Sequence, residues 1–240
     1  MFLFVRNFIS QNITALLLSA VFSYFLGSLN FALVISRYFK KEDIRCQGSG
    51  NAGFTNMLRC WGVMPAVVTF VGDFFKCLVA VLVSKYLFTL FGSLTGPLDD
   101  ETMFIVPFLA GMFCVLGHIF PIYFGFKGGK GVVTASAMLL MSSYKIFLVT
   151  VIVFLLVFAF SKIVSLSAIT AALTSAIATF FISYFFENNF HNIWPTLIVC
   201  VVVSVIIFRH RENIMRLIRG EEKKASIKKK EKIQEESPGI

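Results

Sequence analysis

The sequence predicts an all-α polytopic membrane protein with seven transmembrane helices, its N-terminus outside and its C-terminus in the cytoplasm. Three observations carry this. The chain is 57% hydrophobic and only 15% charged over 240 residues, with a mean hydropathy of +0.81, far more apolar than a soluble domain of that size. Several apolar runs reach the ~20 residues that cross a hydrocarbon core about 30 Å thick. The charges between these runs are sorted by sign, as the positive-inside rule requires.

The first span is expected at Ile13–Ile35. Arg6 ahead of an apolar run resembles the start of a signal peptide. The run is too long for a signal h-region and ends without a small-x-small cleavage site, so it is read as a retained span. Further spans are expected at Gly62–Phe91 and Met103–Tyr123. Val132–Phe160 would measure about 44 Å as one helix. The polar stretch Ser142-Ser143-Tyr144-Lys145 divides it, leaving a short helix near Val132–Met141 that is expected to begin inside the protein and not in lipid. Ile163–Phe186 and Ile193–Phe208 complete the set.

The loops support this division. Arg37, Lys40, Lys41, Arg45 and Arg59 follow the first span, Lys127 and Lys130 follow the third, and a polybasic tail with Lys223 follows the last. Asp99, Asp100 and Glu101 fill one intervening loop and Glu187 with His191 another, neither with a Lys or Arg. Splitting Val132–Phe160 puts the basic segments on one side, at the cost of leaving Lys145 on the outer side. Residues 1–222 are expected to form one membrane-embedded domain, and the basic residues 223–240 a disordered cytoplasmic tail. The tail is suited to anionic membrane lipid.

Three polar segments share the basic side: 48–59, 117–131 and 209–222. Each is rich in groups that hold phosphate, namely glycine amides, hydroxyls, side-chain amides, Lys and Arg. In the first, Gly50 lets amides converge on an oxyanion, Ser49 and Thr55 offer hydroxyls, Asn51 and Asn56 offer amides, and Arg59 can clamp two phosphate oxygens. The bland alternative is a tight turn with helix caps from Ser49, Asn51 and Asn56. In the second, a helix starting near Gly128 would aim its N-terminus, Lys127 and Lys130 at one anion. Gly129 and Gly131 give the same loop its freedom. His118 just before it reads first as hydrogen-bonded structure. In the third, His210 and Asn213 lie three apart on one helical face. Asp73 and Lys76, inside the second span, are expected to neutralise each other in a structural role.

Other classes are excluded on pattern. Gly48, Gly50 and Gly53 spell G-x-G-x-x-G but follow no strand, and Gly128-Gly129-Lys130 is no Walker A loop. The five cysteines lack any CxxC or zinc spacing, so neither metal nor cofactor is predicted. The aromatics are not interleaved with the charges, so nucleic acid is not a partner. Tyr123, Thr196 and Met215 stand five residues after the three histidines, so the H-x-x-x-x-D dyad of thioester-using glycerolipid acyltransferases is missing. A polar-lipid or phosphate translocator using the same loops is the other class, but no internal repeat supports it.

Together the three segments resemble the acyl-phosphate:glycerol-3-phosphate acyltransferases, integral membrane enzymes that begin phospholipid synthesis in many bacteria. GSGN-x-G-x-TN-x-x-R is matched from Gly48 to Arg59, and GH-x-FP with FKGGKG at Gly117–Pro121 and Phe126–Gly131. H-x-x-NI-x-RL with G-x-E is matched at His210, Asn213, Ile214, Arg216, Leu217, Gly220 and Glu222. Cys77 stands where members often have glycine.

The resemblance implies seven spans, a bacterial inner-membrane location and a site facing the cytoplasm. It implies acyl transfer from acyl phosphate to the 1-hydroxyl of sn-glycerol 3-phosphate. On that reading Ser49, Arg59, Lys130, His210 and Asn213 are the catalytic set. Gly50, Asn51, Thr55, Asn56, His118, Lys127, Gly128, Gly129 and Gly131 bind substrate, with the second segment on the donor. Asp73, Lys76 and Glu222 are structural.

Overall fold

The computed structural model describes residues 2–92, 100–185 and 193–225, and all regular structure among them is helical. The loop carrying Asp99, the loop carrying Glu187 and His191, and the tail from residue 226 lie outside the described residues. The main helices are α1 (Phe2–Gly27), α2 (Phe31–Val34), α3 (Phe54–Trp61), α4 (Val63–Gly92), α5 (Asp100–Ile119), α6 (Val132–Ser142), α7 (Tyr144–Ser161), α8 (Val164–Phe185), α9 (Trp194–Arg209) and α10 (Arg211–Ile218).

Four of them, α4, α5, α7 and α8, are long and apolar enough to cross a membrane. α1 and α2, bent by 41° at their break, make a fifth candidate as a pair. α9 is apolar but has 16 residues. α6 has 11, about 16 Å of helix, half the thickness of a hydrocarbon core. It packs against α4 and α5 and buries Thr134, Ala135, Ala137, Met138 and Leu139, so its short apolar surface is covered by protein. The expected division at Ser142–Lys145 is a single extended residue, Ser143, at φ −157° and ψ 117°.

The first span differs from the sequence reading. The expected Ile13–Ile35 is not one helix. α1 starts at Phe2, stops at Gly27, and the chain resumes as α2 and a π-helical turn over Ile35–Phe39. Asn30 caps α2, its side chain accepting from the Leu33 amide. The backbone groups freed at the break are met by charged side chains of α4. Lys76 Nζ donates to the Leu29 carbonyl at 2.9 Å, and the Phe31 amide donates to Asp73 Oδ1 at 3.3 Å. Broken helices persist at membrane depth only where such partners exist. An apolar count along the chain cannot see a partner 42–47 residues away.

α1, α4 and α5 pack together, with α9 against α5 and α8, and α7 against α8 and α6. Cys77, Phe108, Cys114, Met138 and Val199 sit in the central cluster. Close approach of α1 and α5 depends on glycine. A Cβ at Gly117 would overlap the Tyr24 carbonyl, and one at Gly27 the Cys114 carbonyl. Gly117→Ala is therefore expected to lower stability by about 1–3 kcal/mol, the range for overpacking. A thermal unfolding scan in detergent checks this, and an unchanged midpoint would mean the two helices separate freely.

Candidate active site

The three polar segments meet at one end of a cavity of about 730 Å³. Its body is apolar and lies among α6, α7, α8 and α9, lined by Leu139, Phe147, Phe154, Ala172, Val199 and Val203. Its mouth holds Ser49, Asn51, Thr55, Arg59, Lys130, Arg209, His210, Asn213, Arg216 and Glu222. Two helices begin there, α3 at Gly53 and α6 at Gly131, and neither has a side-chain cap. Uncapped first-turn amides and the positive end of the helix favour an anion. One cavity thus offers two anion-binding helix starts on an apolar slot.

The first segment is held from within by Asn56. Its Nδ2 donates to the Ile44 and Gln47 carbonyls at 3.1 and 3.0 Å, and its Oδ1 accepts from the Ser49 amide at 2.8 Å. Asn56 therefore shapes the loop and does not offer its amide to a substrate, a correction to the sequence reading. The Ser49 amide is engaged too, which leaves its exposed side chain at the cavity. Gly48 has φ +59°, and a Cβ there would overlap Asn56 Oδ1. Arg59, in the last turn of α3, is exposed and has no ion pair among the described residues. It is available for a ligand.

The second segment is arranged differently from the expectation. The helix begins at Val132, as the span reading expects, and not near Gly128 four residues earlier. The Gly128 and Gly129 amides donate to the Ile119 and His118 carbonyls at 3.1 and 3.2 Å, so they do not cradle phosphate. A Cβ on Gly128 would meet the His118 carbonyl, and one on Gly129 would meet His118 Nε2. These glycines allow close packing on the end of α5. Lys127 is exposed and stands outside the cavity lining. Its carbonyl, with that of Phe124, accepts from Arg45 Nη1 at 2.9 Å each. Arg45 is oriented by Asp43 at 2.7 Å. Lys130, Gly131 and His118 do line the cavity.

In the third segment Asn213 is a bridge. Its Oδ1 accepts from Lys130 Nζ, and its Nδ2 donates to Glu222 Oε1 at 2.6 Å. Glu222 also accepts from Ser165 at 2.8 Å and Arg216 at 2.7 Å. Burial raises the Glu222 carboxyl, but the hydrogen bonds from Arg216, Asn213 and Ser165 outweigh it and hold the group below its usual range. His210 donates Nδ1–H to the Ile206 carbonyl at 2.8 Å, which leaves Nε2 with the lone pair. Burial, with Lys130 nearby, lowers it to about 4, so it is neutral at physiological pH. Burial lowers Lys130 to about 8, with Glu222 opposing. Residues 223–225 do not behave as a free tail. Lys223 and Ala225 line the cavity, and the Ala225 amide donates to the Lys162 carbonyl at 2.8 Å.

Sequence reasoning placed Arg209 in the third segment but gave it no role in the site. It lines the cavity, donates from Nη2 to the Gly128 carbonyl at 3.1 Å, and keeps a buried Nε without a partner. Its adjacency to His210 in an arginine-rich stretch was the available signal. The α3 helix start was also missed, because Gly53 reads as turn and not as cap.

Comparison with known proteins fits this geometry. A family described as glycerol-3-phosphate acyltransferase matches residues 17–220. The chain belongs to the glycerol-3-phosphate acyltransferase family. A glycerol-3-phosphate acyltransferase of Neisseria meningitidis serogroup C, serotype 2a, is 39% identical over 207 residues, covering 86% of this chain and 96% of the relative. One from Francisella tularensis subsp. holarctica is 40% identical over 212 residues, covering 88% and 94%. The crystal structure of PlsY (YgiH), an integral membrane glycerol 3-phosphate acyltransferase, in its glycerol 3-phosphate form superposes with a TM-score of 0.72. It is 35% identical, covering 88% of this chain and 96% of that one. Its lysophosphatidic acid form gives 0.69 at 34% identity. Like these acyltransferases, this chain is an all-helical membrane protein.

For an acyltransferase with this site, Lys130 is expected to set an alkaline limit. Its cationic form is present below about 8 and is lost as pH rises through that value. kcat/KM, which reports the free enzyme, is expected to fall there. Lys130→Arg, protonated throughout, should move that limb out of range, and a limb unmoved by the change would assign it elsewhere.

Proposed function

We propose that this protein transfers a fatty acyl group from acyl phosphate to the 1-hydroxyl of sn-glycerol 3-phosphate, giving lysophosphatidic acid and inorganic phosphate. The observation that carries this is the cavity's division: an apolar slot among α6–α9 ending at two uncapped helix starts ringed by cations. An acyl phosphate has that division of polarity, and a second phosphate substrate needs the second anion site. The PlsY structure in its glycerol 3-phosphate and lysophosphatidic acid forms supports the acceptor and product.

Acyl phosphate is a mixed anhydride with an activated carbonyl. The hydroxyl oxygen attacks the carbonyl carbon, the bond from that carbon to the phosphate oxygen breaks, and phosphate leaves. The protein's tasks are positioning and charge neutralisation. Arg59 and Lys130 are assigned to the phosphates, Ser49, Asn51, Thr55 and Gly50 to the α3 start, and Gly131 to the α6 start. His210 Nε2 orients the acceptor hydroxyl. At about 4 it is too weak a base to keep the proton, so a substrate phosphate oxygen takes it. Asn213 and Glu222 hold Lys130.

The membrane arrangement belongs to the same proposal. α6 and α9 count as crossings, the N-terminus is outside, and the cavity mouth and C-terminus face the cytoplasm of a bacterial cell, at its inner membrane. Cysteine probes at positions 99 and 127, in a background free of native cysteines, should label from opposite sides of sealed vesicles. Labelling from one side would overturn it.

Purified protein given acyl phosphate and glycerol 3-phosphate should release inorganic phosphate and form lysophosphatidic acid, undiminished by excess chelator because Arg and Lys neutralise the leaving group. Absence of release would favour a translocator. Arg59→Lys keeps the charge but loses the planar fork. It should cost about 1.5–3 kcal/mol, roughly ten- to a hundred-fold in kcat/KM. Wild-type activity in that variant would show that Arg59 does not clamp phosphate through two hydrogen bonds.

A further inference from the structure

Lys76 lies behind the cavity wall and is absent from its lining, yet it touches two residues that line it, Asp73 and His118. Its Nζ is 2.7 Å from Asp73 Oδ1, 2.9 Å from the Leu29 carbonyl and 3.0 Å from His118 Nδ1. An ammonium has three protons and no acceptor. Three acceptors surround this one, and the third must be a lone pair on His118 Nδ1. A proton on Nδ1 would face the ammonium at that distance, with only the longer 3.4 Å approach to Asp73 Oδ1 in its favour. Asp73, Lys76 and His118 are 2–4% exposed, so water does not replace any of these partners. A neutral imidazole with its lone pair on Nδ1 carries its proton on Nε2.

The Nε2 edge of His118 lies against Gly129, where a Cβ would overlap it. The absence of a side chain there keeps that edge uncovered where His118 meets the cavity. His210 is held the other way round, with Nδ1–H on the Ile206 carbonyl. We propose that Lys76 is a positioning residue that locks His118 as its Nε2–H tautomer, making His118 a hydrogen-bond donor to a substrate oxyanion and not a base. Lys76 acts through the imidazole, and Asp73 balances its charge. The identity of the oxyanion as a substrate phosphate rests on the proposed function. The tautomer does not.

The test is a long-range proton–nitrogen correlation spectrum of the full chain, with its three histidines labelled in the ring nitrogens, in detergent or nanodiscs. His118→Asn assigns the signal. The expected result is a pyridine-type Nδ1 and a pyrrole-type Nε2 for His118. Lys76→Met leaves Asp73 buried alone, so Asp73→Asn/Lys76→Met is the safer variant, with an unchanged His210 signal as evidence of folding. It should lose the single tautomer. A pyridine-type Nε2 in the wild type, or an unchanged tautomer in the folded double variant, overturns the role of Lys76. Inorganic phosphate, the oxyanion common to both substrates, should shift the His118 Nε2 signal saturably, and no shift overturns the donor role. If these results hold while acyl transfer fails, the reaction assignment falls and the tautomer lock stands.

Discussion

The Asp73–Lys76 ion pair ties together four segments of the molecule. Charged groups inside a membrane bundle are costly, on the order of 2.5–3.5 kcal/mol each at the centre of a span by insertion measurements. Here the cost is offset by the partners the pair finds. Asp73 accepts from Lys76 and from the Phe31 amide, and Lys76 also reaches the Leu29 carbonyl and His118. Thr134 of α6 donates to the Asp73 carbonyl at 3.4 Å. The break after α1, the middle of α4, the end of α5 and the start of α6 therefore converge on one buried charge pair. The break lets the chain turn and present the first polar segment. Asn30 Nδ2 then reaches the Ala52 carbonyl within that segment at 3.3 Å.

The cavity shows how a membrane protein handles an amphipathic ligand. Burying an acyl chain is worth about 0.8 kcal/mol per methylene against water, but lipid offers the chain the same environment. On the proposed function the slot's contribution is placement: it would hold the chain so that the polar end stands at the helix starts. There, backbone dipoles and Arg59 and Lys130 supply the positive potential. The local pattern disfavours a strong base. His210 is lowered to about 4 by burial, and Lys130 is held by the Asn213 carbonyl oxygen. A site of this kind suits a reaction whose electrophile is already activated.

The glycines of the second segment carry a related lesson. Gly128 and Gly129 sit among cations and resemble a phosphate loop, yet their amides close onto α5 carbonyls. Their lack of a side chain serves the packing of a loop on a helix end and against one edge of His118. The uncapped amides belong instead to the starts of α3 and α6.

Hydropathy, charge asymmetry and three ordered motifs are local or additive properties. They sufficed for the helical membrane class, for most helix positions, for the break at Ser143 and for the membership of Ser49, Arg59, Lys130, His210 and Asn213 in one region. Which groups are free for a ligand is not local. Asn56 and Asn213 share a residue type with substrate-binding amides, and only the fold reveals that the first staples a loop and the second bridges Lys130 to Glu222. The break in the first helix needed Asp73 and Lys76 from another helix. The bent first span and the entry of Arg209 into the site were likewise decided by tertiary packing. A hydrogen-bonding group has few partners to choose from, and the choice is made by whichever segment the fold brings within 3 Å or so.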